Sequence, residues 1–379
     1  MSKKRLAYID AVKGIACLGV FIHHFIIKVL PATVTGKIED SRVFGDYILG
    51  SRAIGFILNG NFWVCMFIVI SAFLLSKSIM NKNVDRDLYI SKTLLKRYPR
   101  LMFPVLGLNI ICFIIFYIFY LCGVHLENPL NMSFASMLKM TVFDMWFIEG
   151  TSTMGYWMMY ILFYGSIISV VLSTILANCK KVSYSRITLI CLLPFMLYLN
   201  TYFFAVLIGV WLAYETQYTD FKFLKKCKFF NIILIIFTII AIVFAGYPST
   251  GNTTQGVYMI FNVLPTGFKN MVHIFHIFAA MLIMIIFICK PKLQKAFDKK
   301  CFSFLGEISY AVYLVHPVVI SFIGIPLYNY LEKNIGILFS VLITTVFLII
   351  VVIILSWLFN KFIEKPIIMI VDKMFKNVF

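Results

Sequence analysis

The amino-acid sequence predicts an all-α protein, a polytopic membrane helix bundle with about ten transmembrane helices. Hydrophobic residues make up 61% of the 379 residues and charged residues only 13%. The mean hydropathy is +0.94, which is typical of an integral membrane protein. The apolar residues also fall into runs close to the length of roughly 20 residues that one helical crossing of a bilayer needs.

Ten apolar runs are the candidate helices, and polar or charged residues separate them. The fifth and sixth runs are short and histidines interrupt the eighth, so the predicted number is good to about one helix. The runs lie near residues 8–30, 54–76, 101–123, 154–177, 186–199, 202–216, 229–246, 271–289, 303–327 and 335–360.

The first apolar run is expected to stay in the mature protein as a helix. It follows the basic sequence MSKKR, which resembles the start of a secretory signal. The run nevertheless carries Asp10, Lys13, His23 and His24, and it has no clear small-residue cleavage site. A signal peptide has an apolar centre followed by such a site, so we interpret residues 8–30 as a retained first helix.

The net charge of +18 indicates membrane topology and not a nucleic-acid surface. With the N-terminus inside, 26 of the 34 lysines and arginines fall on inner segments, and residues 77–100 hold the most. The outer loops hold seven basic and seven acidic residues. Because cytoplasmic loops of membrane proteins carry the excess of Lys and Arg, we expect both termini in the cytoplasm and no nucleic-acid partner.

We expect a single transmembrane domain over residues 1–370, followed by a cytoplasmic C-terminal tail over residues 371–379, with no separate soluble domain. No polar stretch is long enough to fold alone, and we find no repeat with a period of about 20 to 50 residues. The nine cysteines are scattered singly, without a C-x-x-C pair. They are interpreted as small core residues and not as disulfides or metal ligands.

Three ionisable residues of the first run share one face of the predicted helix. Lys13 and His24 are eleven residues apart, a step that returns to within about 20° of the same face and rises about 16 Å. Asp10 lies about one turn below Lys13 on that face. Ionisable side chains inside a membrane segment normally face the bundle interior or a watery cavity. As an alternative, Asp10 and Lys13 could be charged side chains at the end of the helix that extend to the membrane interface. His24 lies too deep in the apolar run for this explanation.

A basic cluster precedes the third run. Lys92, Lys96 and Arg100 fall four residues apart on one helical stripe, and Arg97 lies beside it. Ammonium and guanidinium groups arranged in this way can bind phosphates. Anchoring to anionic lipid headgroups explains the same charges, and charge alone favours this second interpretation.

Five motifs occur in order along almost the whole chain. Asp10, Lys13 and His24 form the first, and FIVISAF at 67–73 is the second. The third is an R-x-x-R-L pattern at 97–101. The last two are GEISYAVYLVHP at 306–317 and IEKP at 363–366.

In this order and spacing, the motifs resemble those of the acyltransferase-3 family of multi-span membrane acyltransferases. The chain departs from the family pattern at three positions. Lys13 stands where arginine is usual, Ala72 takes the place of a glycine, and Leu162 stands where many members have a glutamate. Each motif alone is a weak signal, whereas five in order are a strong one.

The resemblance implies transfer of an acyl group, often acetyl, from cytoplasmic acyl-CoA to a hydroxyl of a cell-surface or exported glycan. No metal is expected to take part. Transfer to an alcohol needs a base that removes the hydroxyl proton and positive charge or hydrogen-bond donors at the oxyanion.

The resemblance also implies roles for single residues. His24 is expected to be the base, because histidine exchanges protons near neutral pH. Lys13, held by Asp10, is expected to bind the donor or to orient the site. The residues expected to bind the CoA phosphates are Lys96, Arg97 and Arg100.

The candidate substrate-binding residues come from the fourth and ninth runs. Trp157 can stack on a sugar face, although an aromatic belt at the membrane interface explains it equally well. His23 points about 100° away from His24 and is interpreted as a packing residue. His273 and His276 form an H-x-x-H pair without a nearby third ligand, so a metal site is not expected. The ninth run supplies Ser309, Tyr310, Tyr313 and His316, for which hydrogen bonding between helices is the alternative.

Two other functions stay open at this stage. A transporter or flippase of a polar or lipid-linked glycan precursor has the same number of spans and the same buried polar residues. A structural partner in a glycan-synthesis complex is the third candidate. The expected location is the cell membrane, specifically a bacterial cytoplasmic membrane. The expected partners are acyl-CoA, a glycan acceptor and membrane lipids, with homo-oligomers and glycan-synthesis proteins left open.

Overall fold

The computed structural model of the protein describes seven stretches of the chain, and they contain helices and connections but no strand. The N-terminal lysines and arginine of MSKKR lie outside the described residues. The described stretches are 6–50, 52–81, 86–123, 132–179, 181–250, 256–269 and 271–375.

Ten principal helices of the described chain lie at the ten predicted apolar runs, although several of them begin or end elsewhere. They are α1 (Ala7–Val29), α2 (Gly60–Ile79), α3 (Arg86–Leu121), α4 (Met158–Asn178), α5 (Val182–Leu199), α6 (Thr201–Tyr214), α7 (Phe230–Ala245), α8 (Val272–Cys289), α9 (Ser309–Val319) and α10 (Ile337–Phe359).

Shorter helical segments extend or join these helices. A π-helical turn continues α9 at Ile320–Gly324 into a further helix, Ile325–Ile335, and another continues α10 at Asn360–Glu364 into Lys365–Met374. The connections contain α-helical Ala32–Thr35, Tyr47–Gly50, Phe134–Lys139, Met145–Phe147, Lys222–Lys225, Thr266–Lys269, Pro291–Phe297 and Lys300–Glu307, 3₁₀-helical Ile38–Asp40, Ala53–Leu58 and Gly256–Val263, and π-helical Met140–Asp144 and Glu215–Thr219.

Eight helical stretches of the described chain are long and apolar enough to cross a membrane. The predicted fold class, an all-α membrane helix bundle, is therefore confirmed. The helices α6 and α7 have 14 and 16 residues, which is shorter than the length of roughly 20 that a crossing usually needs. The number of crossings and the side of the membrane that holds the termini stay predictions.

The ninth predicted helix, 303–327, is not continuous. The segment Lys300–Glu307 ends before Ile308, and α9 begins at Ser309. The segment packs closely on α1, because a Cβ atom on Gly306 would lie 2.4 Å from the backbone oxygen of Asp10. Small residues allow helix backbones to approach in this way in membrane proteins.

The centre of the bundle is α6, of whose 14 residues twelve are buried. Its close partner is α2, since a Cβ on Gly209 would lie 2.5 Å from the backbone oxygen of Val69. A helix that is apolar on every face belongs inside a bundle. By contrast, only 17% of the α5 span is buried, so α5 lies at the periphery.

Ion pairs connect helices at both ends of the bundle. At the end where α1 starts, here called the basic end, Asp372 binds Lys96 and Arg100 at 2.9 and 2.5 Å. At the opposite end, here called the far end, Arg42 donates to Glu332 at 2.6 Å and thereby connects the segment after α1 to the helix that follows α9.

Asp46 orders the segment after α1. Partial burial would raise the pKa of this carboxyl, but hydrogen bonds from the Ser41 hydroxyl and from the backbone N–H groups of Arg42 and Val43 outweigh burial and lower the pKa. Hydrogen bonds to the charged form of a carboxyl act in this direction. The segment that covers the far end is therefore held by an ionised carboxylate.

Candidate active site

His24 faces a cavity of about 270 Å³ in the half of the bundle towards the far end, here called the far cavity. Its ring stacks on that of His316, with ring centroids 5.3 Å apart and an angle of 21° between the planes. The two imidazoles come from α1 and α9, which pack against each other. The far cavity is lined by Val20, His24, Lys28, Val64, Met154, Gly155, Trp157, Tyr313, His316, Pro317, Ile320 and Ser321.

The two rings differ in their hydrogen bonds. His316 lies with Nδ1 at 3.2 Å from the backbone oxygen of Val312, and a carbonyl oxygen can only accept, so Nδ1 carries a proton. His24 has no hydrogen-bond partner within the described part of the chain, and its ring lines the cavity. His24 is therefore free to exchange a proton with a bound molecule.

His23 is placed as a packing residue. Its Nδ1 lies 2.8 Å from the backbone oxygen of Leu58, and a Cβ on Gly60 would lie 2.2 Å from its ring. Its ring meets that of His24 edge to face. The close contact with α2 leaves no room for a ligand on that side.

Tyr313 has a buried hydroxyl in the wall of the far cavity, which donates to no acceptor among the described residues, while the backbone N–H of Met158 approaches its oxygen. Its ring centroid lies 5.7 Å from that of His316. The neighbouring Tyr156 differs, since it donates to the backbone oxygen of Leu314 at 2.7 Å. Trp157 lines the same cavity and directly precedes α4, so the N-terminus of α4 lies at the cavity wall.

A second cavity, about 190 Å³ in volume and here called the near cavity, lies towards the basic end. The ammonium group of Lys13 lies 5.3 Å from the centre of the Phe67 ring. The Nε atom of Arg97 is buried there without a hydrogen-bond partner in the described chain. The near cavity is lined by Lys13, Phe67, Ser71, Arg97, Arg100, Leu101, Leu162, Tyr310, Glu364 and Ile368.

The near cavity carries an excess of positive charge. Lys13, Arg97 and Arg100 face it together with one carboxylate, Glu364, which accepts a hydrogen bond from Asn360 at 2.9 Å. Arg97 has no carboxylate within 4.0 Å among the described residues. An anion in the near cavity would therefore meet a cation that lacks a partner.

Two of the predicted donor-site residues lie elsewhere. Lys96 binds Asp372 and does not line the near cavity. Asp10 is buried against Gly306, and none of the ion pairs between described residues joins it to Lys13. The expected support of Lys13 by Asp10 stays a prediction: Asp10 and Glu364 attract the Lys13 charge without a direct ion pair between described residues, and the Phe67 ring lies against the ammonium group.

The predicted substrate-binding residues divide between the two cavities. Trp157, Tyr313 and His316 line the far cavity. Tyr310 lines the near cavity and donates to the backbone oxygen of Leu101 at 2.8 Å. Ser309 lines neither, because its hydroxyl donates to the backbone oxygen of Gly306 at 2.8 Å across the break before α9.

The two cavities lie end to end. On α2, Val64 lines the far cavity and Phe67 lines the near cavity. On α9, Tyr313 lines the far cavity and Tyr310 lines the near cavity. Each pair is three residues apart, a rise of about 4.5 Å. A short barrier of side chains therefore separates the two cavities.

Two charged lining residues were missed by sequence reasoning. Lys28 lies four residues after His24 on the same helix face and lines the far cavity, so its spacing was the available signal. Glu364 belongs to IEKP and reaches the near cavity. The IEKP motif alone does not indicate that Glu364 reaches a cavity, because the tenth apolar run ends near residue 360 and does not predict that the helix continues beyond it.

The H-x-x-H pair does not form a metal site. Nε2 of His276 lies 2.9 Å from the backbone oxygen of Tyr247 and 3.1 Å from the amide nitrogen of Asn59. His273 packs instead against the ring of Tyr202, at 4.6 Å. Within the described ranges, no group of three or more His, Cys, Asp and Glu residues could hold a metal ion.

Residues 6–361 match the model of a family that is described as "Acyltransferase domain". The match includes the far cavity completely and the near cavity except for Glu364 and Ile368. No curated protein and no solved structure matches the chain.

Proposed function

The chain belongs to the acyltransferase-3 family and is a membrane acyltransferase; from this premise we propose that it moves an acetyl group from cytoplasmic acetyl-CoA to a hydroxyl of a cell-surface or exported glycan. The observation that carries the proposal is the adjacency of two unlike cavities. One presents unpaired cations, and the other presents an unpaired imidazole.

The near cavity suits the donor. Guanidinium and ammonium groups bind phosphates through charge-assisted hydrogen bonds, and Arg97 and Lys13 are available for this. The volume of about 190 Å³ is below the range of roughly 300–1,000 Å³ that holds drug-sized ligands. We therefore place only the phosphates of CoA in it, with the nucleotide outside the basic end and the pantetheine arm extending past the short barrier of side chains, so that the thioester reaches the far cavity.

The far cavity suits the acceptor and the chemistry. His24 takes the proton of the acceptor hydroxyl as its oxygen attacks the thioester carbonyl carbon. The tetrahedral intermediate then expels the CoA thiolate, which takes the proton back from His24. The Tyr313 hydroxyl donates to the oxyanion, where a fixed donor in a dry site is most effective. His316 orients the His24 ring by stacking on it.

The test is acyl transfer by the purified full chain, reconstituted in lipid vesicles. The probes are radiolabelled acetyl-CoA and a library of short oligosaccharides with free hydroxyls. We expect release of free CoA and label on an oligosaccharide. A transporter or flippase would consume no thioester, so intact acetyl-CoA together with movement of an oligosaccharide across the vesicle membrane would contradict the proposal.

The matched variants are His24→Ala and His23→Ala. We expect His24→Ala to lower transfer by roughly 10²–10⁴-fold, the usual contribution of a general base, while the protein still assembles. His23→Ala should retain much more activity, because His23 does not line the far cavity. Equal activity of His24→Ala and wild type at matched expression would remove His24 from the role of base.

A further inference from the structure

A third cavity lies on the outside of the bundle, in a groove of about 490 Å³ to which α5, α6, α7 and α8 all contribute. Leu193 of α5, Trp211 of α6 and Phe237 of α7 line it. Its lining is almost entirely apolar, and it shares no lining residue with the near or far cavity. The groove is therefore separate from the proposed active site.

A neutralised ion pair ends the groove at the basic end. Arg186 donates to both carboxylate oxygens of Glu215, at 2.7 and 3.0 Å. The Glu215 side chain is only 4% exposed, whereas that of Arg186 is 52% exposed. Thr219 also donates to Glu215, at 2.6 Å. The carboxylate thus accepts these three hydrogen bonds, and about half of the Arg186 side chain stays accessible.

Basic residues surround the same end of the groove. Phe221 and Phe223 line it, and the backbone reaches them through a left-handed turn with φ of +50° at Asp220 and +53° at Phe221. A left-handed bulky residue is uncommon, so the turn is held by its surroundings. The exposed lysines of this segment that have no ion pair within the described residues are Lys222, Lys226 and Lys228.

We propose that this groove binds an anionic phospholipid of the surrounding bilayer. One acyl chain lies in the apolar groove beside Trp211, and the phosphate lies against Arg186 and the lysines that follow Phe221. Juxtamembrane basic residues attract anionic headgroups in this way. The positive-inside rule predicts that the basic end faces the cytoplasm, where the leaflet is rich in anionic lipids.

The size of the groove favours a lipid chain over a protein helix. A helix is about 10–12 Å across, so two turns of it already occupy roughly 850 Å³ or more. The groove offers about 490 Å³. It therefore has room for an extended chain but not for a partner helix.

Trp211 serves as a reporter for the lipid. The full chain is reconstituted in phosphatidylcholine vesicles that contain a small fraction of one brominated lipid. This lipid is either brominated phosphatidylglycerol or brominated phosphatidylcholine, at the same mole fraction. The bromine atoms on the acyl chains quench the fluorescence of nearby tryptophans. The Trp211 signal is the difference between wild type and Trp211→Phe. We expect severalfold stronger quenching of Trp211 by the brominated phosphatidylglycerol. Trp357 is the control, since it is 42% exposed on α10 and its ring centre lies 5.1 Å from the Lys361 ammonium group. Its signal, the difference between wild type and Trp357→Phe, reports ordinary attraction of an anionic headgroup to one basic side chain and should show a much weaker preference than Trp211.

Two sets of variants separate headgroup from chain. Lys222→Gln with Lys226→Gln and Lys228→Gln should abolish the preference for phosphatidylglycerol, because the phosphate loses three cations and the charge of the remaining Arg186 is neutralised by Glu215. Leu193→Phe with Ile208→Phe should reduce quenching by both lipids, because the groove is filled. Ile187→Phe is the control, since Ile187 is 56% exposed on α5 but does not line the groove.

Equal quenching of Trp211 by the two lipids in wild type would overturn the anionic site. A preference that survives in the lysine variant would overturn the headgroup assignment. If neither lipid quenches Trp211 and the protein is dimeric, a second copy of the chain covers the groove and the proposal is wrong. None of these results depends on acyl transfer.

Discussion

The Tyr313 hydroxyl offers the sharpest test of the mechanism. It is buried and donates to no acceptor among the described residues, and an unsatisfied buried donor costs about 1–3 kcal/mol. If it donates to the oxyanion, Tyr313→Phe should lower kcat by roughly 10²–10³-fold with little change in KM. The unfolding temperature should change little, because the hydroxyl donates no hydrogen bond to another described residue.

Tyr156→Phe is the matched control for that variant. Tyr156 donates to the backbone oxygen of Leu314, so its loss should lower stability by about 1 kcal/mol while kcat changes far less. A Tyr313→Phe protein with wild-type kcat would exclude the hydroxyl from the reaction. A lower unfolding temperature of Tyr313→Phe would instead show that the hydroxyl forms a stabilising hydrogen bond within the protein.

Lys13 tests the donor site. Lys13→Met should raise KM for acetyl-CoA by roughly tenfold or more, since a hydrogen bond to a charged group contributes about 1.5–3 kcal/mol. Lys13→Arg should stay close to wild type, because it keeps the cation. Steady-state kinetics at matched protein levels give the comparison. If Lys13→Met fails to assemble whereas Lys13→Arg assembles normally, the Lys13 charge is needed for folding, and the donor site must be sought elsewhere.

Sequence reasoning singled out His24 and Lys13 because ionisable side chains are costly among apolar ones and rarely occur there without a task, whereas Arg97 was singled out by the R-x-x-R-L motif. Ser309 shows where that reasoning stops. A short hydroxyl side chain can satisfy itself on a nearby carbonyl, and the hydrogen bond from Ser309 to Gly306 does so. Which partner a hydroxyl chooses depends on a helix break that hydrophobic periodicity does not reveal.

At the scale of helices, long apolar runs predicted where the membrane helices lie but not where some of them end. The third run was expected to begin at residue 101, yet α3 begins at Arg86. Pro99 and Pro104 lie inside α3 and argue for a late start, because proline removes a helical hydrogen bond. Neighbouring groups can satisfy the freed carbonyls in membrane proteins, so the helix continues past both prolines.

The contact between α1 and the Lys300–Glu307 segment can be tested by Gly306→Ala. A Cβ there would lie 2.4 Å from the Asp10 backbone oxygen, so the two helices must move apart. Overpacking of this kind costs about 1–3 kcal/mol, and the unfolding temperature in detergent should fall. Gly267→Ala is the control, since a Cβ at Gly267 meets nothing within 4 Å. Equal unfolding temperatures for the two variants would show that the contact yields without cost.

At the scale of the whole molecule, the proposed reaction requires a fixed orientation in the membrane. The donor enters from the cytoplasm and the acceptor is a surface or exported glycan, so the near cavity must face inward. The positive-inside rule predicts this orientation from the charges of the loops alone. The arrangement of the two cavities could not be predicted in this way, because it depends on how α1, α2, α4 and α9 pack against one another.

Two native cysteines test that orientation. Cys122 follows α3 at the far end, Cys301 lies in the segment before α9 at the basic end, and both are exposed. In variants that keep only one of them, a membrane-impermeant maleimide should label Cys122 in intact cells, because an exposed thiol outside the membrane is accessible to it. It should label Cys301 only after the membrane is permeabilised. The reverse pattern would place the near cavity outside the cell, where no acetyl-CoA reaches it, and the proposed direction of transfer would then be wrong.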